Sequence, residues 1–374
     1  MEASLSDVEK AQRVYTTCID RTIANGTTTA SYYATIHVES TNILASLCKT
    51  KGQRALIGRV CMDNKEVATD YYYDESLPAA MEATKAVIDH IDFLDPHGHH
   101  VAPVLTPRSC VSCTHDFLLQ LADLSKNKGH RIQTHLSENV DEIELVHRIW
   151  PGSESYTDVY ESHGLLTDKT ILAHAIHLSP SEQSLIAQRG AKISHCPVSN
   201  SALGSGICPV RTLLDAGITV GLGTDISGGY SPSILEIVRQ ACLVSRLLAQ
   251  SKEDERLKLS VEEALWLATR GGAEVVGWKN RVGAFESGMQ WDAQLIRFDS
   301  VPSGTDDTKE ASVTGEKHGI PDDHPENVEG EETNVKIFGW ENWEDRIAKW
   351  VYAGDDRNTR RVWIGGRLVH SKDR

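Results

Sequence analysis

The heptapeptide QTHLSEN, residues 133–139, sets a histidine and a glutamate three positions apart at the close of the apolar run RIQTHL. Two further short runs close in the same manner: TILAHA on His174 with one residue to spare, and TVGLGTD on Asp225. Two imidazoles and one carboxylate brought from separate strand ends to one point form a nitrogen and oxygen donor set that suits zinc, and less well iron. Such an ion lowers the pKa of a bound water toward about 7, and a carboxylate within reach can take that proton and pass it to a leaving nitrogen. Glu138, just past His135, stands where that carrier is needed. Each residue alone also fits an ordinary polar turn. Their recurrence at the ends of separate strands points to a site. His195 in KISHCP ends a strand too, and is assigned a supporting or structural place.

The elements that must carry these residues follow from the hydrophobic pattern. Helical spacing from SLSDVEK onward closes on Gly26. Short β-type runs then appear at 27–34, 54–60, 101–107, 131–136, 170–175, 192–197 and 219–225. Between them lie helical stretches such as HDFLLQLADLSKN, VDEIELVHRIW, SPSEQSLIAQRG and VRTLLDAG. Strand and helix in alternation imply parallel strands with crossover helices. The fold class is therefore α/β, a (β/α)8 barrel of the TIM type with about seven of its eight strands, and chemistry belongs at the strands' C-terminal ends. Two helical patterns follow residue 225, and then two strand-like pieces, 291–299 and 360–370, read as a small β-unit outside the barrel. This divides the chain into a barrel over 1–285 and a C-terminal unit over 286–374. Residues 300–334 are acidic and poor in apolar side chains, and are expected to form a disordered insertion.

Composition narrows the partners. A formal net charge of −15 over 374 residues argues against nucleic acid and anionic membrane surfaces. A small molecule is the expected partner. The first ten residues have neither a basic nor an apolar leader region and no run of 18 apolar residues occurs, so a soluble cytoplasmic protein is expected. Eight cysteines without a paired framework are read as reduced thiols, the single C-x-x-C at Cys110 and Cys113 included.

TPRSCVSC, QTHLSEN, ILAHAIHLS, ISHCPVSNSALGSGICPV, GLGTDISGGYS and YAGDDRNTRRVWIGG closely resemble segments of the guanine deaminases of the amidohydrolase superfamily. The resemblance runs from IANGTTTASYYATIH to the end, apart from the acidic segment. NGTTTA, TPR and GTDISGGYS together favour guanine over cytosine or triazine substrates. It implies a metal-dependent hydrolase barrel with a β-sandwich remnant, zinc-dependent conversion of guanine and water to xanthine and ammonia in purine catabolism, and a homodimer.

By this resemblance His135 is a zinc ligand and Glu138 the acid and base that carries the water proton to guanine. Asp225 binds the metal and orients the attacking water, and His174 either ligates zinc or polarises the water. The substrate set comprises Arg108, Ser109, His135, Glu138 and Asp225, with the Arg108 fork gripping the purine carbonyl. Ser109 stands where relatives often carry an aromatic residue. The superfamily's first barrel strand, ending in His-x-His, has no counterpart here. The one His-x-His, His97 and His99, precedes a strand and so falls on the face opposite the chemistry. The chain is accordingly expected to be an N-terminally incomplete form. Two alternatives stand beside this reading: a deaminase of another amino-heterocycle, and a short, catalytically inactive product that binds a partner.

Overall fold

The computed structural model describes residues 2–301 and 333–372. Most of the acidic segment expected to be disordered, 302–332, lies outside the described residues. A 3-10 turn, Glu2–Ser6, leads into helix α1, Val8–Ala24, whose N-cap Asp7 accepts from the Lys10 amide. Gly26 follows with φ +84°, the stop expected there. Strand β1 (Thr29–Tyr33), α2 (Val38–Lys51), β2 (Arg54–Gly58), β3 (Val60–Cys61), α3 (Leu77–Leu94), β4 (Val101–Pro107), α4 (His115–Lys128) and β5 (Arg131–Leu136) come next. Then follow α5 (Val140–Ile149), α6 (Tyr156–Ser162), β6 (Thr170–His174), α7 (Pro180–Arg189), β7 (Lys192–His195), α8 (Pro197–Ala202), α9 (Val210–Asp215) and β8 (Val220–Leu222).

The main sheet runs β1-β2-β4-β5-β6-β7-β8, every pair parallel, with β3 continuing the line of β2 beside β4. These are the seven strands expected, curled into part of a barrel. β1 and β8 each have a single strand neighbour among the described residues. The run read as one strand over 54–60 is broken at Arg59. Its guanidinium is buried against Asp74 and donates to Ile36 O at 2.8 Å, which turns the residue out of the ladder.

Alternation along the strands sorts side chains between two layers. In β2, Ala55 and Ile57 join an outer core with Ile19, Ile23 and Leu44 of α1 and α2, whereas Leu56 joins an inner one with Val104, Ile171, Val275, Val276 and Trp278. The inner group closes the barrel floor. Above it Gln133 ties the interior together, donating to Thr106 Oγ1 (3.0 Å) and Tyr32 O (2.9 Å) and accepting from Ser31 Oγ (2.6 Å). Gly58 is required where β2 meets β4, since a Cβ there would fall 1.7 Å from Thr106 Oγ1.

Helix α10 (Ile234–Lys252) follows the barrel, and then α11 (Val261–Trp266), which passes through a π turn, Leu267–Gly271, into α12 (Gly272–Val275). The C-terminal strands are β9 (Ala293–Ile296), β10 (Asp299–Ser300), β11 (Lys336–Ile337), β12 (Thr359–Ile364) and β13 (Arg367–Ser371), with α13 (Trp343–Ala353) between β11 and β12. The run 360–370, read as one strand-like piece, is a hairpin. Gly365 and Gly366, at φ +58° and +79°, supply the left-handed pair that a two-residue turn demands. Val362 and Ile364 pack into the α1 and α2 core, and Val351 of α13 packs with Leu235 and Val238 of α10.

One buried ion pair joins these parts. Arg54 donates to both oxygens of Asp292 (2.8 and 3.0 Å) and to His99 O (2.5 Å), while the Gly365 amide donates to Asp292 Oδ1 (2.8 Å). Both side chains are almost wholly buried, so removing one partner strands an uncompensated charge. Asp292→Ala should cost about 3–5 kcal/mol of unfolding free energy in a denaturant titration. A loss under about 1 kcal/mol would show that the pair does not hold the C-terminal strands to the barrel.

Candidate active site

The C-terminal ends of β4, β5, β6, β7 and β8 carry the residues that the sequence singles out. His135, on the last turn of β5, and His174, closing β6, stack with ring centroids 5.3 Å apart and planes 21° from parallel. The register pairs His135 with Ala173 and Leu136 with His174, so alternation alone would set the two rings on opposite faces; His174 departs from extended backbone, at φ 70°, where its ring meets His135. Glu138, two residues beyond β5, places Oε2 3.8 Å from His174 Nε2.

Each imidazole is anchored through one nitrogen. His135 Nδ1 is 2.6 Å from the Arg108 carbonyl, and His174 Nδ1 is 2.9 Å from Asn200 Oδ1. A carbonyl oxygen accepts, so Nδ1 of His135 carries the hydrogen and Nε2 keeps its lone pair. The Asn200 oxygen does the same for His174. An outer partner on Nδ1 that frees Nε2 is how proteins set histidines as metal ligands. Burial first, and then the neighbouring His174 and Arg108, push the His135 pKa down to about 3, so the ring stays neutral and able to donate its lone pair.

Asp225 follows β8 in a left-handed conformation, φ 45°. Gly228 makes room for it: a Cβ there would lie 2.6 Å from Asp225 Oδ2. The Asp225 charge is felt by Tyr33, Cys196 and Arg108. Among the described residues, no hydrogen bond or ion pair joins it to either histidine, and no group of three His, Cys, Asp or Glu side chains is drawn tightly enough to hold an ion. The set His135, His174 and Asp225 is thus gathered at one end of the barrel, with the two imidazoles in contact and the carboxylate standing apart.

Arg108, just past β4, directs Nη1 to Glu2 Oε2 at 2.7 Å. Ser109 turns away from this group. Its hydroxyl is 3.3 Å from Ser112 Oγ, and its amide donates to the same oxygen, which makes it part of a local turn. His97 and His99 lie ahead of β4, on the opposite face, as expected; the His99 carbonyl is spent on Arg54 and Arg281.

Four residues here escape the sequence reading or are underweighted by it. Tyr33 ends β1 with its ring 4.8 Å from His135 and its buried hydroxyl without a partner; burial, Cys196 and Asp225 raise its pKa. The strand-end rule that picks His135 also picks Tyr33. His195, assigned a supporting place, is buried with neither ring nitrogen bonded to protein, and burial with His174 beside it pushes its pKa down to about 3. A supporting histidine is expected to be hydrogen-bonded, so two unpaired nitrogens mark a place that something else completes. Asn200 holds the His174 ring, and Tyr160 the backbone of His135. The Tyr160 hydroxyl donates to His135 O (2.8 Å) and accepts from the Cys110 amide (2.9 Å). All eight cysteines are free, Cys110 and Cys113 among them.

The donor types suit a metal ion, although among the described residues the side chains are not drawn around one point. The set offers two imidazoles held through Nδ1, unpaired nitrogens on His195 and a carboxylate at the next strand end, which is chemistry suited to a borderline divalent cation.

Comparison with known proteins gives the chain a family. The Amidohydrolase family model matches residues 1–369. A probable guanine deaminase of Schizosaccharomyces pombe is 43% identical over 369 residues, 99% of this chain and 64% of its own length. The guanine deaminase of Dictyostelium discoideum is 39% identical over 99% of this chain and 74% of its own. A guanine deaminase from C. acetobutylicum, solved with guanine in its active site, superposes with a TM-score of 0.82 at 32% identity, over 99% of this chain and 78% of that one. The chain thus spans about two thirds to three quarters of the length of these relatives. The amidohydrolase family is typically metal-dependent. No helix among the described residues is long and apolar enough to cross a membrane. With the fold and the relatives in accord, this chain belongs to the amidohydrolase family, on its guanine deaminase branch.

Proposed function

We propose that this site serves the hydrolytic deamination of guanine to xanthine and ammonia, with zinc as its ion. The observation that carries the reading is the approach of Glu138 to Nε2 of His174 beside the stacked His135, with the Nδ1 of each imidazole held. His135, His174 and Asp225 would hold the zinc, which when bound would lower the pKa of a water at the site. Glu138 accepts the water proton as oxygen attacks C2 of the purine, then delivers it to the departing amino nitrogen. His174, kept in one tautomer by Asn200, has the single nitrogen Nε2 to give, either to the ion or to the attacking water. Arg108 presents its planar donor fork to the purine carbonyl and fixes which ring edge faces Glu138. Ser109 has a lesser part, through the turn that shapes the chain after Arg108.

The partner is a small purine. A homodimer in the cytoplasm is what the resemblance to guanine deaminases implies. Ammonia release measured on guanine, cytosine and adenosine tests the assignment. Guanine should exceed the other two by at least about 100-fold in kcat/KM, because a site built to bond a substrate's polar edge leaves its own groups unpaired with the wrong ring. Preference for the pyrimidine would overturn the reading.

A further inference from the structure

Glu2 lies 106 residues from Arg108, yet its carboxylate meets the guanidinium proposed to read the purine. The contact is delivered by anchored backbone. Ser40 Oγ donates to Leu5 O at 2.5 Å, His37 Nε2 lies 3.3 Å from Ala3 O, Leu5 is buried in the α1 and α2 core, and Ala3 packs on Val60, Met62 and Tyr72. The Tyr72 hydroxyl also faces the Glu2 carboxylate. Only Nη1 of Arg108 is engaged; among the described residues no acceptor is bonded to its Nε or Nη2. A guanidinium is a rigid plane, so holding one edge fixes where the other points.

We infer that Glu2 is a positioning residue, which grips the Nη1 edge of Arg108 so that the remaining donors face the carbonyl at C6 of a 2-amino-6-oxopurine. The inference rests on the guanine reading above and gives it a structural basis for selectivity. Without Glu2 the Arg108 side chain, about two fifths exposed, is free to sample other rotamers, and the carbonyl must order it on binding. Burial opposes the charge on Arg108, but Glu2 beside it outweighs that and its pKa ends raised. The opposite effect is equally definite: a carboxylate that competed with substrate for Arg108 would weaken binding, and its removal would tighten it.

The test is steady-state kinetics of Glu2→Gln on guanine and on 2-aminopurine, which carries the same C2 amine but no carbonyl at C6. Glu2→Gln should raise KM for guanine about tenfold, leave kcat within about threefold, and lower the preference for guanine over 2-aminopurine by the same tenfold, the scale of one charge-assisted hydrogen bond. Arg108→Lys should lower that preference too, and adding Glu2→Gln to it should lower it no further, because the two residues act as one unit. An unchanged or reduced KM, equal losses on both substrates, or additive effects in the double variant would overturn the role of Glu2 alone. A wild-type chain with no preference for guanine over 2-aminopurine would overturn the guanine reading and this inference with it.

Discussion

Replacing Glu138 by Gln is expected to cut ammonia release from guanine by roughly 10²–10⁴-fold, toward the upper end, while bound zinc stays unchanged. The amide keeps the size of the side chain and can still lie beside His174, where the carboxylate now sits 3.8 Å from Nε2. It cannot accept the water proton, and so both halves of the transfer fail together. Stopped assays for ammonia, paired with elemental analysis for zinc, separate the two properties. Turnover within tenfold of the parent would remove Glu138 from the mechanism. Loss of zinc in step with activity would place it among the ligands instead.

His135→Ala should show the complementary pattern, with zinc content and turnover falling together. Second-sphere changes commonly weaken metal binding 10–100-fold. Removing a first-sphere imidazole should exceed that, so affinity should fall by more than about 100-fold and kcat/KM by at least about 1,000-fold. The alanine variant loses only the ring's bond to the Arg108 carbonyl, which keeps the residue 135 amide, while the Tyr160 hydroxyl keeps the residue 135 carbonyl, so no gross misfold is expected. Competition with a chromophoric chelator measures the affinity. Retention of tight zinc binding would show that the ion is held elsewhere, with the unpaired nitrogens of His195 the first place to look.

Much of the architecture was legible because it is written in local pattern. A strand of alternating layers, as in RALIG, and a helix closed by a glycine, as at Gly26, are signals spanning ten residues or so, and all seven barrel strands were recovered. The candidate site was legible for a related reason: a parallel barrel turns the ends of its strands into neighbours, so the strand ends that carry His135 and His174 could be set side by side from sequence alone. Contacts between distant segments left no such trace. Nothing near Asp292 announces Arg54 across 238 positions, nor does anything near Glu2 announce Arg108. Arg59 looked like one more strand residue because its buried partner, Asp74, lies in an irregular loop. The hairpin at Gly365–Gly366 was legible in principle, since paired glycines between apolar runs are a turn signal, and was passed over for the length of the run.

His174, Ala175 and Asp225 hold left-handed backbone, at φ 70°, 51° and 45°. Such conformations cost L-residues on the order of 1–3 kcal/mol each, and glycine adopts them without strain. A lineage with no use for this end of the barrel would therefore gain stability by drifting to glycine at 174, 175 and 225. The strand tips are where thermodynamic drift and selection for chemistry pull in opposite directions, and His174 and Asp225 are the residues that record which one has prevailed.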